Sequence, residues 1–567
     1  MDRDLASRQQ ARDLVAVTRS AFERYRTFDQ GSVDRICHAV VEAGYREAER
    51  LARMAVEETD IGKVASKKAK NEFATRGLWR GIRDMATCGL VGRDPARGVD
   101  EYADPFGVVA AIIPTTNPTS TALFKAIICL KSRNGMVTSP HPRAVGCIRE
   151  SIRVVMDAAV AAGAPEGLIT CMDQVSLDGT EELMKHPNVD LILATGGSGL
   201  VRAAYSSGKP AFGVGPGNSP SYVDRSADLD HAARCIVDSQ TFDNGTICSS
   251  EQSLVLDRPI RDGFLTAMKA RGAHLCTPDE AELLEKIVMK GRGMNPDIVG
   301  KDPWRLAEMA GFQVPRDTTV LLAHCAGVGF EFPLSIEKLS PILSVFVEDG
   351  WEKGCKRCLE ILALGGMGHT LSIHCRDEAI IREFAEKKPV NRILVNSPSS
   401  QGAVGFTTNL FPSMTLGCGS FGGNITSDNI SPLHLLNIKR LARVKPEYDD
   451  PSWTGAFEDA GPSGSAPVGD APRSDIWMRR SDDSAGEDVA DSKRLWQPHP
   501  AEAPGGPAEP LPDELETLVQ SLLAKTRDDG CPFGRCADCP PSGGSCDESG
   551  AQARSTVSVS MHRSDQR

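Results

Sequence analysis

The sequence lacks a hydrophobic run long enough to cross a membrane, which takes about 18 apolar residues in a row. Its apolar runs are far shorter, as in the segment Val108–Ile113. The chain also begins without the apolar stretch of a secretory signal, because Met1-Asp2-Arg3-Asp4 leads into a polar helical pattern. We therefore expect a soluble cytoplasmic protein with no membrane partner, whose 17 cysteines are reduced thiols.

An excess of basic residues is also missing. The 567 residues include 64 Lys and Arg against 76 Asp and Glu, a net charge of −12. Without a basic stripe, nucleic acid is not an expected partner. The two signs balance over residues 1–445, so the negative charge belongs entirely to the remainder of the chain. This change predicts a boundary near residue 445, and the length predicts two or more domains.

Helix and strand patterns alternate through the chain. Apolar residues recur at helical spacing over residues 5–88, and Val108–Ile113 is typical of a strand buried on both faces. Helices and strands then alternate as far as the strand Leu191–Ala194, the pattern of a doubly wound parallel sheet. In such sheets ligands bind beyond the carboxyl ends of the strands.

Two turns follow predicted strands in this region. The turn Pro114–Ser120 contains Asn117, which is a candidate for chemistry; the alternative is a loop residue that caps the following helix. The turn Thr195–Gly199 contains Gly196 and Gly197, and glycines at a strand-to-helix turn let backbone N–H groups approach a pyrophosphate. The second turn is therefore a candidate nucleotide site.

The segment Phe242–Gln252 holds one cysteine, Cys248, among small polar residues in a glycine-containing turn. A thiolate is a strong nucleophile when its pKa is lowered, and we expect the turn to run into a helix whose N–H groups favour the anion. The alternative is an inert buried thiol, which is common for free cysteine.

Six separated motifs in order resemble the aldehyde dehydrogenase superfamily over residues 5–442, specifically its CoA-acylating branch. They are Ile113–Pro118, Asn134–Arg143, Ala194–Gly197, Gly208–Ala211, Cys248 in its turn, and Leu416–Asn424. The chain is similar to ethanolamine- and propanediol-utilisation aldehyde dehydrogenases and to the aldehyde half of bifunctional aldehyde–alcohol dehydrogenases. The resemblance implies an α/β fold with two Rossmann-like domains and a small oligomerisation element. The implied domains are the N-terminal helices with the cofactor-binding domain in residues 1–228 and the catalytic domain in residues 229–424. In residues 425–445 the chain returns to the cofactor-binding and oligomerisation region.

The same resemblance implies roles for individual residues. Cys248 matches the catalytic nucleophile, and Asn117 matches the amide that holds the oxyanion together with the Cys248 N–H. The implied cofactor is NAD, with NADP as the alternative, and the enzymes form homodimers or homotetramers. Glu337 matches a carboxylate for the nicotinamide ribose, the alternative being a surface charge. The implied cofactor-binding residues are Thr115, Thr116, Ser139, His141, Pro142, Thr195, Gly196, Gly197, Ser198, Gly215, Glu337 and His369.

Two departures from the hydrolytic members bear on the product. Those members carry Glu-Leu-Gly-Gly upstream of the nucleophile, where this chain has Val214-Gly215-Pro216-Gly217 without a carboxylate. A thioester is then left for a better nucleophile than water, and the thiol of CoA is one. Ser139 stands where hydrolytic relatives carry a lysine for the adenine ribose. We therefore expect aldehyde, NAD+ and CoA to give acyl-CoA and NADH, with a hydrolytic enzyme and a non-catalytic shell-docking scaffold as alternatives.

Residues 446–567 lie outside the resemblance and are expected to form a disordered acidic tail. Leucines at helical spacing, with Asp513 and Glu514 at the start, predict a short amphipathic helix over residues 513–525. The helix resembles peptides that bind microcompartment shell proteins, which would place the enzyme in a microcompartment lumen; docking on the enzyme itself is the alternative. No metal site is predicted elsewhere, and the weak candidates for one are Cys531, Cys536, Cys539 and Cys546.

Overall fold

The computed structural model describes residues 2–291 and 293–444. The predicted disordered tail, its helix at residues 513–525 and the cysteine cluster at residues 531–546 lie outside the described residues. Within the described part, no helix is long and apolar enough to span a membrane. All 13 cysteines among the described residues are free thiols.

Five helices precede the sheets, as the apolar periodicity predicts. In the first of them Ala11, Val15, Thr18, Phe22 and Tyr25 are buried along one face, three or four residues apart. A π-helical turn, Phe73–Gly77, separates the last two helices. The helices are α1 (Arg3–Tyr25), α2 (Gln30–Arg46), α3 (Ala48–Thr59), α4 (Val64–Glu72) and α5 (Leu78–Ile82), followed by the strands β1 (Gly89–Asp94) and β2 (Val99–Pro105).

The first large sheet has five parallel strands in the order β5-β4-β3-β6-β7. All six residues of its central strand are buried, as the sequence predicts. The chain moves from β3 to one edge and returns to β6 on the other side, so the topological switch point lies between β3 and β6. Its elements are β3 (Val108–Ile113), α6 (Pro118–Lys131), β4 (Gly135–Pro140), α7 (Val145–Ala161), β5 (Ile169–Cys171), α8 (Leu177–Lys185), β6 (Leu191–Thr195), α9 (Ser198–Tyr205) and β7 (Ala211–Val214).

The second large sheet has seven parallel strands in the order β10-β13-β14-β9-β8-β15-β16, with helices and a short hairpin (β11, β12) between them. Its elements are β8 (Ser219–Val223), α10 (Leu229–Thr241), β9 (Glu251–Asp257), α11 (Arg261–Lys269), β10 (His274–Leu275), α12 (Pro278–Val288), β11 (Met289–Lys290), β12 (Gly293–Met294), α13 (Pro303–Ala310), β13 (Leu321–His324), β14 (Ile342–Glu348), α14 (Trp351–Gly365), β15 (Gly368–His374), α15 (Glu378–Lys387), β16 (Val390–Val395) and α16 (Ser399–Ala403). Sheet membership therefore changes between residues 214 and 219, whereas the domain boundary expected from the sequence is at residue 228.

A small antiparallel sheet joins the segment before β3 to the C-terminal end of the described chain. It has the order β1-β2-β17, where β17 (Leu436–Ala442) lies in the segment 425–445 and pairs with β2 from Leu436 opposite Pro105 to Ala442 opposite Val99. The last four residues of β17 are exposed. The α/β class with two parallel sheets and a third small element agrees with the expectation from the sequence.

Candidate active site

A cavity of about 540 Å³ lies beyond the carboxyl ends of β3, β4, β6 and β7, and the turn before β9 forms another part of its wall. Both predicted catalytic residues, Asn117 and Cys248, line it. So do ten of the residues expected to bind cofactor: Thr115, Thr116, Ser139, His141, Pro142, Thr195, Gly196, Gly197, Gly215 and Glu337. The switch point of the five-stranded sheet thus brings together residues that are distant in sequence.

The remaining two predicted cofactor residues are Ser198 and His369, of which His369 is not among the described residues that line the cavity. Ser198 begins α9, and its side chain is not described. His369 is buried behind Gly217, where an added Cβ would lie 2.9 Å from the His369 ring and 2.3 Å from the carbonyl oxygen of Cys248. The His369 Nδ1 is 2.9 Å from the Thr370 hydroxyl oxygen, and burial lowers the pKa of His369 to about 3. His369 is therefore a neutral neighbour of the nucleophile turn.

Cys248 is half-buried in the turn that leads into β9. The expected helix start is wrong, because the apolar residues after Cys248 form a central strand of the seven-stranded sheet. The expected low pKa is also wrong. Burial raises the pKa of Cys248 to about 12, with smaller contributions from Glu337 and Cys418, while Arg392 opposes the shift. The surroundings of the Cys248 sulfur therefore favour the thiol over the thiolate.

Asn117 precedes α6, but its side chain does not cap that helix, so the capping alternative is wrong. Its Nδ2 instead lies 3.2 Å from the carbonyl oxygen of Thr246 and 3.2 Å from the hydroxyl of Thr116. Its Oδ1 accepts a hydrogen bond of 2.6 Å from Lys70 Nζ. The amide group of Asn117 therefore contacts the nucleophile turn two residues before Cys248.

The loops after β6 and β7 leave part of their backbone accessible, because a Cβ added at Gly197, after β6, or at Gly215, after β7, would meet no atom within 4 Å. This is the kind of surface that a pyrophosphate can approach closely. Farther along the cavity, the Ser139 hydroxyl lies 2.8 Å from the Thr180 hydroxyl. The wall also contains residues that were not predicted from the sequence because they belong to no recognisable motif, among them Val175, Ser176, Leu177 and Thr180.

Glu337 supplies the one carboxyl among the described residues that line the cavity. Its Oε1 accepts a hydrogen bond of 2.8 Å from the Gly217 backbone N–H. Burial raises the pKa of Glu337 to about 8, although the Gly217 hydrogen bond and the nearby Lys338 both favour the charged form. Glu337 is therefore part of the cavity rather than a solvated surface charge.

One group of potential metal ligands occurs in the described part of the chain, formed by His274, Cys276 and Glu280. It does not line the cavity. The Glu280 Oε2 lies 2.9 Å from His274 Nε2 and accepts a hydrogen bond of 2.8 Å from the Thr277 N–H at the start of α12. These hydrogen bonds and the capping box of α12 account for the cluster without an ion.

Comparisons with known proteins match this arrangement. A model described as the aldehyde dehydrogenase family matches residues 2–284. The bifunctional aldehyde-alcohol dehydrogenase AdhE of Escherichia coli (strain K12) is 41% identical over 435 residues, which cover 76% of this chain and 49% of AdhE. This chain therefore spans about half the length of such bifunctional relatives.

Two solved structures are also similar. An acetylating aldehyde dehydrogenase from Geobacillus thermoglucosidasius is 46% identical with a TM-score of 0.78, covering 79% of this chain and 99% of that one. A propionaldehyde dehydrogenase from Rhodopseudomonas palustris, solved with bound CoA and an acylated cysteine, is 27% identical with a TM-score of 0.70. That match covers 76% of this chain and 97% of the other.

Proposed function

This chain belongs to the aldehyde dehydrogenase family, and we propose that it is a CoA-acylating member that converts an aldehyde, NAD+ and CoA into acyl-CoA and NADH. The observation that carries the proposal is the shared cavity of Cys248 and Asn117, in which Glu337 is the one carboxyl among the described lining residues. No carboxylate occurs in the stretch Val214–Gly217, where hydrolytic members carry their water-activating glutamate.

The five-stranded half binds the cofactor and the seven-stranded half supplies the nucleophile. The cofactor-binding surface consists of the turn Gly196–Gly197, whose backbone is open at Gly197, together with Glu337 in the cavity wall. NAD+ accepts the hydride of the aldehyde when it is bound there. No lysine or arginine occurs among the described residues that line the cavity, so none pairs with the 2′-phosphate of NADP. This favours NAD over NADP.

Acylation proceeds at the Sγ of Cys248. The sulfur forms a bond to the aldehyde carbonyl carbon while the thiol proton passes to solvent, and the carbonyl π electrons move to the oxygen, which gives a tetrahedral adduct with a negative oxygen. The Nδ2 of Asn117 and the backbone N–H of Cys248 hold that oxygen. Loss of hydride leaves a thioester on Cys248, and the CoA thiol then displaces the cysteine to release acyl-CoA. We assign short-chain aldehydes as substrates, in line with the propionaldehyde dehydrogenase among the similar structures.

Steady-state turnover is expected to require CoA. Without CoA, an assay with NAD+ and a short-chain aldehyde should form about one equivalent of NADH per active site and then stall, because the stretch Val214–Gly217 lacks the glutamate that activates water in hydrolytic members. The measurement is NADH absorbance with and without CoA, together with assays for free acid and acyl-CoA. Sustained release of free acid in the absence of any thiol would favour the hydrolytic alternative instead.

We also propose that the protein is a cytoplasmic homodimer or homotetramer. Support for the oligomer comes from the β1-β2-β17 sheet, where Leu90, Leu441 and the following Val444 are exposed apolar residues. Support for the compartment comes from the 13 free cysteines of the described residues, because disulfides are rare in a reducing cytoplasm.

The predicted helix at residues 513–525 is proposed to bind a microcompartment shell protein, a proposal that rests on its apolar spacing in the sequence. The expected result is co-sedimentation of the full-length chain with purified shell protein. The triple variant Leu515→Ser, Leu518→Ser and Leu522→Ser should lose it while keeping its activity, because a short helix has little except buried leucines to hold it. Equal co-sedimentation of this variant would remove the targeting role.

A further inference from the structure

A buried charged cluster lies beside the proposed oxyanion site and has no part in the chemistry described so far. Lys67 and Lys70 lie three residues apart on α4, and Asp243 lies in the turn before Cys248. The two lysines are each 2% exposed and Asp243 is fully buried. Lysine and aspartate are almost never buried to this extent unless they are paired.

The carboxylate of Asp243 is saturated with donors. Its Oδ2 accepts hydrogen bonds from Lys67 Nζ at 2.9 Å, from Lys70 Nζ at 2.5 Å and from the Thr246 hydroxyl at 2.8 Å. Its Oδ1 accepts from the Lys63 backbone N–H at 2.8 Å. Burial opposes its ionisation, yet the two ammonium groups keep the pKa of Asp243 below its usual range. One carboxylate thus holds two cations in place.

Lys70 uses all three of its hydrogen atoms. Besides Asp243, its Nζ donates to the Thr246 hydroxyl at 3.1 Å and to Asn117 Oδ1 at 2.6 Å. An ammonium group donates hydrogen bonds and accepts none, so the Asn117 atom that faces it must be the oxygen. The other orientation of the amide would place NH2 against NH3+. Lys70 therefore fixes which end of the Asn117 amide faces the nucleophile turn.

Lys67 differs from Lys70 in one respect that matters for a test. Its Nζ also bonds Asp243, and it donates to the carbonyl oxygen of Thr116 at 2.9 Å, but it does not contact the Asn117 side chain. The two lysines share the same helix, the same burial and the same carboxylate. They are thus a matched pair in which only one member touches the proposed oxyanion donor.

We propose that Lys70, held by Asp243, is a positioning residue that orients the Asn117 amide and polarises its N–H toward the developing oxyanion. A cation on the amide oxygen draws electron density from the amide nitrogen and makes its hydrogen a stronger donor, as in other chains of coupled hydrogen bonds. This inference rests on the proposed role of Asn117 in acylation. It adds a second contact, from the N-terminal helices, that fixes the geometry of the nucleophile turn.

The test is a double-mutant cycle with Lys70→Met and Asn117→Ala, measured as the rate of the first NADH equivalent formed without CoA. Lys70→Met alone should slow this step by about 10- to 100-fold with the KM for NAD+ within about twofold. In the Asn117→Ala background, Lys70→Met should slow the same step by less than about threefold, because the Asn117 amide through which Lys70 acts is absent. Lys67→Met is the matched control. The factor by which it slows the first NADH equivalent should be at least about fivefold smaller than the factor for Lys70→Met.

Lys70→Met is expected to fold, because Lys67 still neutralises Asp243, and thermal unfolding checks this. If it does not fold, Lys70→Arg replaces it in the same cycle, and its loss must also vanish in the Asn117→Ala background. The inference would be overturned if the rate losses from Lys70→Met and Asn117→Ala simply multiplied in the double variant. It would also be overturned if Lys67→Met and Lys70→Met slowed acylation equally. If the Asn117→Ala variant showed normal acylation, the proposed oxyanion role of Asn117 would be refuted. The positioning role of Lys70 would then be refuted with it.

Discussion

The variant Cys248→Ala should lose at least about 10⁴-fold in the rate of NADH formation, the scale of loss expected when a covalent nucleophile is removed. The reason is that no other cysteine of the described residues lines the cavity. The fold should remain, because Cys248 is half-buried beside the cavity and the change removes one sulfur atom. The measurement is NADH absorbance with aldehyde, NAD+ and CoA, together with thermal unfolding of both proteins.

A suitable control is Cys171→Ala, since Cys171 is also half-buried but lies in β5 and does not line the cavity. It should retain activity near that of the unchanged protein. Activity of Cys248→Ala within tenfold of the unchanged protein would contradict the covalent mechanism, and the same loss in both variants would indicate general damage to the fold.

The raised pKa of Cys248 bears on how acylation is driven. Burial raises the pKa of the Cys248 thiol, so its surroundings favour the thiol over the thiolate before substrate binds. The transition state of attack is then stabilised where negative charge develops, on the aldehyde oxygen. Asn117, with Lys70 behind it, is placed to act at that stage, because preorganised donors favour the transition state more than the resting state.

Much of the cavity could be predicted from the sequence because its parts are local. The turns after β3 and β6 carry recognisable motifs, and the parallel sheet brings strand ends to one edge, so Asn117, Gly196 and Gly197 could be grouped in advance. The strand after Cys248 was harder to predict. Its apolar run is short, and short apolar runs do not distinguish a strand from a helix by periodicity.

The charged cluster could not be predicted in the same way. Lys70 and Asp243 are 173 residues apart in the chain, and no motif connects them. The segment around Lys67 and Lys70 is rich in lysine and resembles the solvated face of a helix, since lysine is mostly exposed. Only the packing of α4 against the nucleophile turn shows that these two side chains point inward.

The variant Asn117→Ala should slow the first NADH equivalent by about 10²- to 10³-fold, the usual cost of one lost oxyanion donor. The KM for NAD+ should change little, because the turn at Gly196 and Gly197 and the carboxyl of Glu337, which line the cavity, remain in place. Single-turnover NADH formation gives the rate, and titration with NAD+ gives the affinity.

The sharper control is Asn117→Asp, which keeps the shape of the side chain and the oxygen that accepts from Lys70. A carboxylate next to this buried ammonium should preserve the fold, and thermal unfolding should show little loss. It has no hydrogen to donate, however, and its second oxygen would face the carbonyl oxygen of Thr246 in place of Nδ2. Acylation should therefore be at least as slow as in Asn117→Ala, because the negative charge repels the oxyanion. Rapid acylation by Asn117→Asp, or a change confined to the affinity for NAD+, would show that Asn117 does not hold the oxyanion.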